Sequence, residues 1–393
     1  MAYNNVGTPV FYVDNYLYLR TIGANPTSIG AMELGGVNVG LNSPTNVGGL
    51  YTLKPNKIKR LKYGTPGMKF IHIPSTDQDF PLQTAAEENI KWYYAILNHN
   101  LGGVGIGFGK VFGDGTNAQA IPIQDPVYNA TNQSGVIEFE DESTMYEVPN
   151  SGSSIYVTSD SPYDETSNEI IIRVGTNDGD VIPYIGAVSA GLQYTMPHSP
   201  DLRLSTQIIM DGANSMRTSN GGAIINLKHT GNPLWYGSPS PQQGDLEGGV
   251  SIGYQSVTNP FDTFSADEPL NALDSGRIRN GRMSWDLKFS YIDDHDLFPA
   301  NQKASTNTEH PSGEYEATDI DGNDNFSTDI STDDSFVSMV WNRTIGGALP
   351  FIFQPDSNNR DNFYICRFKQ NSLRVTQLAY KTYGMSVKIE ETW

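Results

Sequence analysis

Short apolar runs with a period of two residues dominate the second half of this chain. In the segment RMSWDLKFSYI every second residue is large and apolar, namely Trp285, Leu287, Phe289 and Tyr291. The segment YGMSVKIEETW repeats the pattern with Tyr383, Met385, Val387, Ile389 and Trp393. This alternation is typical of an antiparallel strand that has one face in a core and the other in solvent. The 39 Gly and 23 Pro residues can supply turns for many such strands, so the sequence predicts a mainly β fold.

Similar strand patterns occur along the rest of the chain. Near the N-terminus they are VFYVD and YLYLRTIG. Between residues 135 and 194 they are GVIEFED, SIYVTSD, NEIIIRVG and DVIPYIGAVSAGLQYTM. The C-terminal half adds LSTQIIMDG, GGAIINLKH, FIF, FYICRF and LRVTQLAY. Short strands with turn clusters between them predict antiparallel sandwich or jelly-roll layers.

A helix signal lies in QTAAEENIKWYYAILNHNLGG. Thr84 and Glu87 have the spacing of a capping box, in which each side chain accepts from a backbone amide at the helix start. Apolar residues follow at helical spacing: Ala86, Ile90, Tyr93, Leu97 and Leu101. Two glycines at 102–103 provide a stop signal. The pattern predicts an amphipathic helix that packs on a sheet.

A second, shorter helix is predicted in TDDSFVSMVWNRTIGG. Thr332 is placed as its N-cap, and acidic residues occupy the first turn. The residues predicted to face inward are Phe336, Met339 and Val340. Gly346 and Gly347 are predicted to end the helix, because glycine adopts backbone conformations that are closed to other residues.

The chain divides into three parts at changes of pattern. Residues 1–48 are interpreted as an arm that contributes strands to a C-terminal domain, and 49–195 as an inserted β-sandwich module, jelly-roll-like and carrying the first helix. The segment MPHSPDLRL, residues 196–204, forms the junction, since its two prolines forbid a continuing strand or helix. Residues 196–393 form the C-terminal β domain, a sandwich or barrel with short helices. Within it, residues 300–335 are predicted to be an exposed acidic loop.

The charge and the composition exclude several classes of protein. The net charge of −19 argues against a surface that grips nucleic acid, because such grips need Lys and Arg to neutralise phosphates. No apolar run reaches the roughly 20 residues of a membrane-spanning helix, and no secretory signal is recognised at the N-terminus. One cysteine, Cys366, excludes an internal disulfide and is interpreted as a small buried apolar residue.

The sequence shows no set of catalytic groups, and we predict no catalytic residue and no cofactor. His295, between two aspartates, is interpreted as a solvated loop histidine. The segment GGVGIGFGK lacks the spacing and the Ser or Thr of a phosphate-binding loop, so it is interpreted as a Gly-rich turn or strand. Trp235 and Tyr236 are assigned to packing rather than to sugar stacking.

One segment resembles a calcium-binding loop. In DIDGNDNFSTD, oxygen-bearing side chains stand at alternate positions: Asp319, Asp321, Asn323 and Asn325. An EF-hand would require Gly where Asp324 stands and a bidentate Glu later in the loop, and both are missing. The segment is therefore a weak candidate for a calcium site, with a plain acidic loop as the preferred interpretation.

The C-terminal half resembles a known family. The pieces MPHSPDL, WDLKFSY, GGALPFIFQPDSNN, FYICRF and YGMSVKIEETW resemble, in their order, the tail-end proteins of tailed bacteriophages. These are the distal tail and lambda-type minor tail proteins, including those of marine phages, that form rings at the end of the tail tube. The resemblance covers 196–393 and, more loosely, 1–48.

The resemblance implies a non-enzymatic structural protein of the virion tail, made in the host cytoplasm. It would form a ring, as a hexamer, and join the tail tube to the baseplate, hub or receptor-binding fibres. Genome DNA would pass through the lumen without specific binding, and acidic walls would suit that passage. The alternative is a virion surface lectin or capsid decoration protein in which the middle sandwich binds host glycan or capsid. A hydrolase is a third and weaker interpretation, because the sequence shows no nucleophile–base set.

Overall fold

The structure is a computed structural model that describes the chain in segments. The described residues are 6–22, 52–55, 59–60, 69–74, 91–99, 105–112, 118–120, 125–126, 136–138, 144–147, 152–158, 167–174, 184–209, 213–217, 219, 222–227, 232–233, 279–280, 282–299, 334–358 and 363–392. The following predicted features lie outside them: the Thr84–Glu87 capping pair, the Trp235–Tyr236 pair, the calcium candidates Asp319, Asp321, Asn323 and Asn325, nearly all of the 300–335 loop, and Trp393 on the apolar face of the last strand.

The described elements are mostly strands, which confirms the mainly β prediction. The strands are β1 Val10–Asp14, β2 Lys59–Arg60, β3 Lys69–Pro74, β4 Lys91–His99, β5 Gly105–Phe112, β6 Ala118–Ala120, β7 Asp125–Pro126, β8 Val136–Glu138, β9 Thr144–Glu147, β10 Gly152–Thr158, β11 Ser167–Val174, β12 Tyr184–Thr195, β13 Ser205–Ile209, β14 Ala213–Arg217, β15 Ala223–Leu227, β16 Asn232–Pro233, β17 Arg279–Asn280, β18 Arg282–Asp293, β19 Phe351–Gln354, β20 Tyr364–Phe368, β21 Arg374–Ala379 and β22 Thr382–Glu391. The helices are α1 Asn15–Ile22, α2 Asp294–Leu297 and a π-helix, Val337–Asn342.

Twelve of these strands form one antiparallel sheet. Its order is β13-β18-β22-β20-β19-β1-β12-β4-β10-β7, with β2 also paired to β12 and β21 also paired to β22. A second sheet has the order β3-β11-β5-β9-β8, with β6 beside β5, and β14-β15 and β16-β17 are separate pairs. The large sheet takes strands from all three predicted parts of the chain. The division into domains and the sandwich arrangement stay predictions.

The N-terminal strand β1 lies inside the large sheet, between β12 and β19. Its side chains alternate between two apolar clusters, one on each face of the sheet. Phe11 and Val13 join the first cluster, while Val10 and Tyr12 join the second. The Phe11 ring is 5.3 Å from that of Phe353, measured between centroids. Residues about 340 positions apart in sequence therefore share one core.

The predicted helix around Tyr93 and Leu97 is wrong, because residues 91–99 form the strand β4. This strand lies between β12 and β10, and residues 92–97 are all buried. A strand covered on both faces reads as a continuous apolar run and not as an alternation. Such a run contains the helical spacing by coincidence, and the aromatic residues at 92–94 favour a strand.

The predicted strand YLYLRTIG is also wrong, since α1 occupies Asn15–Ile22. The change from strand to helix occurs at Asp14. Its Oδ1 atom accepts a hydrogen bond of 2.8 Å from the backbone N–H of Leu17. This is the geometry of an N-cap, which satisfies an amide that has no partner within the helix.

The second predicted helix is confirmed as a short helical segment, but it ends at Asn342 and is followed by turns that contain the two glycines predicted to end it. Its regular part is the π-helix, and Phe336, Met339 and Val340 are buried against the first apolar cluster as predicted. The side chain that meets a backbone amide at its start belongs to Ser335, at 3.4 Å from the N–H of Ser338. The predicted cap, Thr332, lies outside the described residues. Gly346 and Gly347 have φ values of 59° and 90°, which only glycine adopts readily.

The alternation of the two long C-terminal strands is confirmed with one correction. Trp285, Leu287 and Phe289 of β18 are buried, and so are Tyr383, Met385, Val387 and Ile389 of β22. Tyr291 was predicted on the buried face but is 77% exposed. The register of β18 against β22 shifts between Phe289 and Ile292, and Tyr291 has φ 65°. This β-bulge adds a residue, so Ile292 takes the inward position instead.

Candidate functional site

The end of the large sheet at β13 is the most distinctive described surface. Among the strands that the structure describes, β13 pairs only with β18. Its other edge therefore presents backbone N–H and C=O groups that no described strand satisfies. Unpaired strand edges are ready templates for another strand.

Within its five residues, β13 lacks the features that normally protect an edge. Its sequence is STQII, so it contains no charged residue and no proline. Its register against β18 runs from Ser205 opposite Asp286 to Ile209 opposite Arg282 without a bulge. Native edge strands usually carry one of these features, because a regular apolar edge promotes association.

An apolar side chain is exposed on this edge strand. Ile208 lies opposite Met283, and 68% of its surface is exposed. Leu204, which directly precedes β13, is partly buried and packs against the first apolar cluster. The edge strand thus begins beside the core and exposes an apolar side chain at Ile208.

The edge strand is held rigidly by the segment that precedes it. The backbone N–H of Asp201 donates to the carbonyl of Lys288 at 2.7 Å. The Ser290 hydroxyl donates to Asp201 Oδ2, also at 2.7 Å. At the start of the segment, the N–H of Met196 donates to the carbonyl of Pro9 at 3.0 Å. The predicted absence of helix and strand from 196–204 is confirmed, while the role of this segment as a domain junction stays a prediction. These bonds fix where β13 begins.

A chain of buried polar groups lies in the middle of the same sheet. Ser189 Oγ donates to Asp14 Oδ2 at 2.8 Å, and Tyr93 Oη is 2.7 Å from Ser189 Oγ. Because the Ser189 hydroxyl has a single hydrogen, the Tyr93 hydroxyl is the donor in the second bond. All three side chains are buried. Burial, followed by the charge of Asp14, raises the pKa of Tyr93 well above its ordinary value.

A second buried pair joins α1 to the end of the π-helix. Arg343 Nη1 donates to Asn15 Oδ1 at 2.8 Å, and both residues are buried. With the Tyr93–Ser189–Asp14 chain, this pair links β1, α1, β4, β12 and the π-helix at one corner of the core. These groups are buried, so we interpret their hydrogen bonds as fixing the relative positions of these strands and helices. Sequence reasoning missed it, although Asp14 before an apolar run is a usable cap signal.

The structure separates the remaining candidate residues instead of assembling them. His295 lies on α2 with its side chain 64% exposed, and its Nδ1 is 3.8 Å from Asp334 Oδ1, in keeping with a solvated histidine. Residues 105–110 of the segment GGVGIGFGK lie in the strand β5, in keeping with the strand interpretation, and residues 102–104 lie outside the described residues. Cys366 is buried in β20, and burial raises the pKa of its thiol well above the ordinary value.

The described residues contain neither a metal-binding cluster nor a helix that could cross a membrane. No group of three or more His, Cys, Asp or Glu side chains within the described segments is placed to hold a metal ion. No helix within those segments is both long and apolar enough to cross a membrane.

Comparison with known proteins adds no assignment. No protein-family model, curated protein or solved structure matches this chain. A functional proposal therefore depends on the surface geometry and on the resemblance seen in the C-terminal half.

Proposed function

We propose that this chain is a structural, non-enzymatic component of a virion tail that assembles as a closed ring at the tail end. The observation that carries the proposal is the edge strand β13, which is regular, uncharged and exposed. A strand from a neighbouring copy would complete its hydrogen bonds and cover Ile208. Edge-to-edge addition of this kind is an established mode of protein recognition.

The large sheet suits a structural role. The strands β1 and β22 both have partners on two sides, so segments from opposite ends of the described chain lie inside the sheet. The edge strand β13 pairs with β18, which pairs with β22. A contact made at β13 is therefore continuous with the interior of the sheet. A contact between two different surfaces of neighbouring copies closes into a ring when the rotation between copies allows it.

The remaining features of the proposal come from the resemblance and from charge. The ring would have six copies, to match the tail tube, and would contact the tube, the hub or the fibres. Its lumen would carry more acidic than basic side chains, in keeping with the net charge of −19. Walls without clustered Lys and Arg would let the genome pass without phosphate contacts that slow it.

Native mass spectrometry and electron microscopy of the full-length protein test the ring. We expect a closed oligomer for the native chain, and a monomer for Ile208→Lys, because a lysine on the edge strand opposes strand addition. Ile22→Lys is the matched control, since Ile22 is also exposed, at 52%, but lies at the end of α1. A native monomer, or loss of assembly in both variants alike, contradicts the proposal.

Copy number in purified virions separates the ring from the alternative of a surface lectin or decoration protein. A tail-end ring requires few copies per particle, whereas a protein that coats the capsid requires many. Quantitative mass spectrometry against a known single-ring tail protein gives the ratio directly. A large excess of this chain favours the alternative, and equal numbers favour the ring.

A further inference from the structure

The outer face of the sheet carries a groove where β18, β22 and β21 lie side by side. We call it the outer groove. Its volume is about 330 Å³, at the lower end of the roughly 300–1,000 Å³ of ligand pockets. The apolar residues Leu378 and Met385 line it together with Gly384. The polar lining residues are Lys288, Ser290, Arg374, Thr376 and Ser386.

The strand register places these residues in two rows. In the first row Lys288 lies opposite Ser386, which lies opposite Arg374 on the other side. In the second row Gly384 lies opposite Thr376, and the bulge of β18 begins beside it, after Phe289. The groove thus has one cation at each side and hydroxyl groups between and beside them.

Gly384 creates the depression. It is buried in the middle strand, and a Cβ atom built there would lie 3.3 Å from the Phe289 carbonyl oxygen and 3.4 Å from Leu378 Cδ1. A side chain at this position would therefore project into the groove and fill its floor. A glycine in a strand interior often marks a place where another molecule approaches the backbone.

The two cations of the groove lack acidic partners among the described residues. Three basic residues on or beside the neighbouring strands are paired: Lys388 with Asp286 at 3.4 Å, Lys369 with Glu390 at 2.9 Å, and Arg282 with Glu390. No ion pair is found within the described segments for Lys288 or Arg374, nor for Arg367 of β20. On a chain with a net charge of −19, two cations that line one groove without acidic partners favour an anionic ligand.

The groove also offers groups that suit a polyhydroxylated ligand. Ser290 donates to Asp201 Oδ2 at 2.7 Å, which places a carboxylate acceptor next to this lining residue. Beside Ser290, the ring of Tyr291 is exposed on a left-handed residue, φ 65°. Such a conformation is unusual for an aromatic residue and persists only where the surroundings impose it. An exposed aromatic ring beside polar groups can pack against the apolar face of a sugar ring.

The groups point away from a simple phosphate site. Phosphate sites usually use backbone N–H groups at helix N-termini or in turns that form a nest. In the outer groove the backbone amides of β22 are engaged in the ladders to β18 and β21. The ligand must therefore be held by side chains. Two cations and three hydroxyls line the groove with Leu378 and Met385, and the carboxylate of Asp201 lies beside Ser290.

We propose that the outer groove binds an acidic saccharide, one or two rings of a carboxylated sugar. Arg374 would bind the sugar carboxylate, because the guanidinium matches its two oxygens in a bidentate geometry. Lys288 would add a second positive charge across the groove. Ser290, Thr376 and Asp201 would bind sugar hydroxyls, and Tyr291 would pack on a ring face. This inference is independent of ring assembly.

The test is binding of the full-length protein to an array of acidic oligosaccharides, uronate and sialylated, beside neutral oligosaccharides of equal length. Affinities of the hits are then measured by calorimetry. We expect binding to acidic members only, and a weakening with added salt, because exposed charge pairs are screened. Absence of binding to every acidic member overturns the proposal. Equal competition by inorganic phosphate or sulfate also overturns it, since it would indicate a simple anion site.

Variants locate the site and guard against misfolding. Arg374→Gln should weaken binding at least about tenfold, the effect of one strong contact, and Gly384→Ala should weaken it by filling the floor. Lys388→Gln is the matched control, because Lys388 lies on the same face of β22 but is already paired with Asp286. Every variant should melt at the native temperature. Unchanged affinity in Arg374→Gln, or an equal loss in Lys388→Gln, overturns the assignment. Native mass of the same samples reports ring assembly separately.

Discussion

The substitution Gly191→Ala tests how closely the central strands of the large sheet approach one another. Gly191 lies on β12, opposite Asp14 of β1 and Tyr93 of β4. A Cβ atom built there would lie 1.9 Å from the carbonyl oxygen of Val13 and 2.8 Å from the backbone nitrogen of Asn15. Both contacts are with backbone, so no rotamer change relieves them. β1 must move away from β12.

The expected cost has two parts. Overpacking a tight interior costs about 1–3 kcal/mol. The movement also strains the bond between Ser189 and Asp14, 2.8 Å long and only two residues from the substitution. A buried hydrogen bond that is lost leaves a penalty of about 1–3 kcal/mol. Together they lower the free energy of unfolding by about 2–6 kcal/mol, against a typical total of ~5–15 kcal/mol.

Urea unfolding, monitored by tryptophan fluorescence, measures the decrease in the free energy of unfolding. Trp92 and Trp285 report on it because both are buried in the same sheet. Gly384→Ala serves as the control. Its added Cβ meets one backbone atom at 3.3 Å and one movable leucine side chain, so it should change stability by less than about 1 kcal/mol. If the free energy of unfolding of Gly191→Ala differs from that of the native protein by less than about 0.5 kcal/mol, the size of a neutral surface change, the close approach of β1 and β12 is refuted.

Three further predictions concern the core. Deleting residues 384–393 removes Met385, Val387 and Ile389, each worth about 1.5–3 kcal/mol of burial, so the truncated chain should lose cooperative unfolding; a sharp thermal transition would contradict this. The raised pKa of Tyr93 means that the folded state keeps a proton that the unfolded state releases above pH about 10. Its stability contribution is therefore present below that pH and falls as pH rises, by up to about 1.4 kcal/mol per pH unit, and Tyr93→Phe should flatten this fall in urea unfolding at pH 9–11. The buried Cys366 thiol, with its raised pKa, should resist iodoacetamide at pH 8 in the folded protein and react in urea; equal rates in both would show that β20 opens.

The sequence by itself determined the class of fold and the facing of its long C-terminal strands. The alternation in β18 and β22 is readable because each strand has one face on the core and one in solvent, so burial imposes a two-residue period. The glycine pair 346–347 is readable for a similar reason, since the backbone conformation required there excludes other residues.

The tertiary structure decided the rest, because the deciding partners are distant in sequence. Residues 92–97 became a strand because they pair with β12 and β10 and are buried between two apolar clusters, and a fully buried run has no period to read. Tyr291 moved into solvent because the pairing with β22 inserted a bulge. The chain Tyr93–Ser189–Asp14 joins residues up to 175 positions apart, and the outer groove joins strands whose register no local pattern specifies. Long-range pairing, not local propensity, assembled both candidate surfaces.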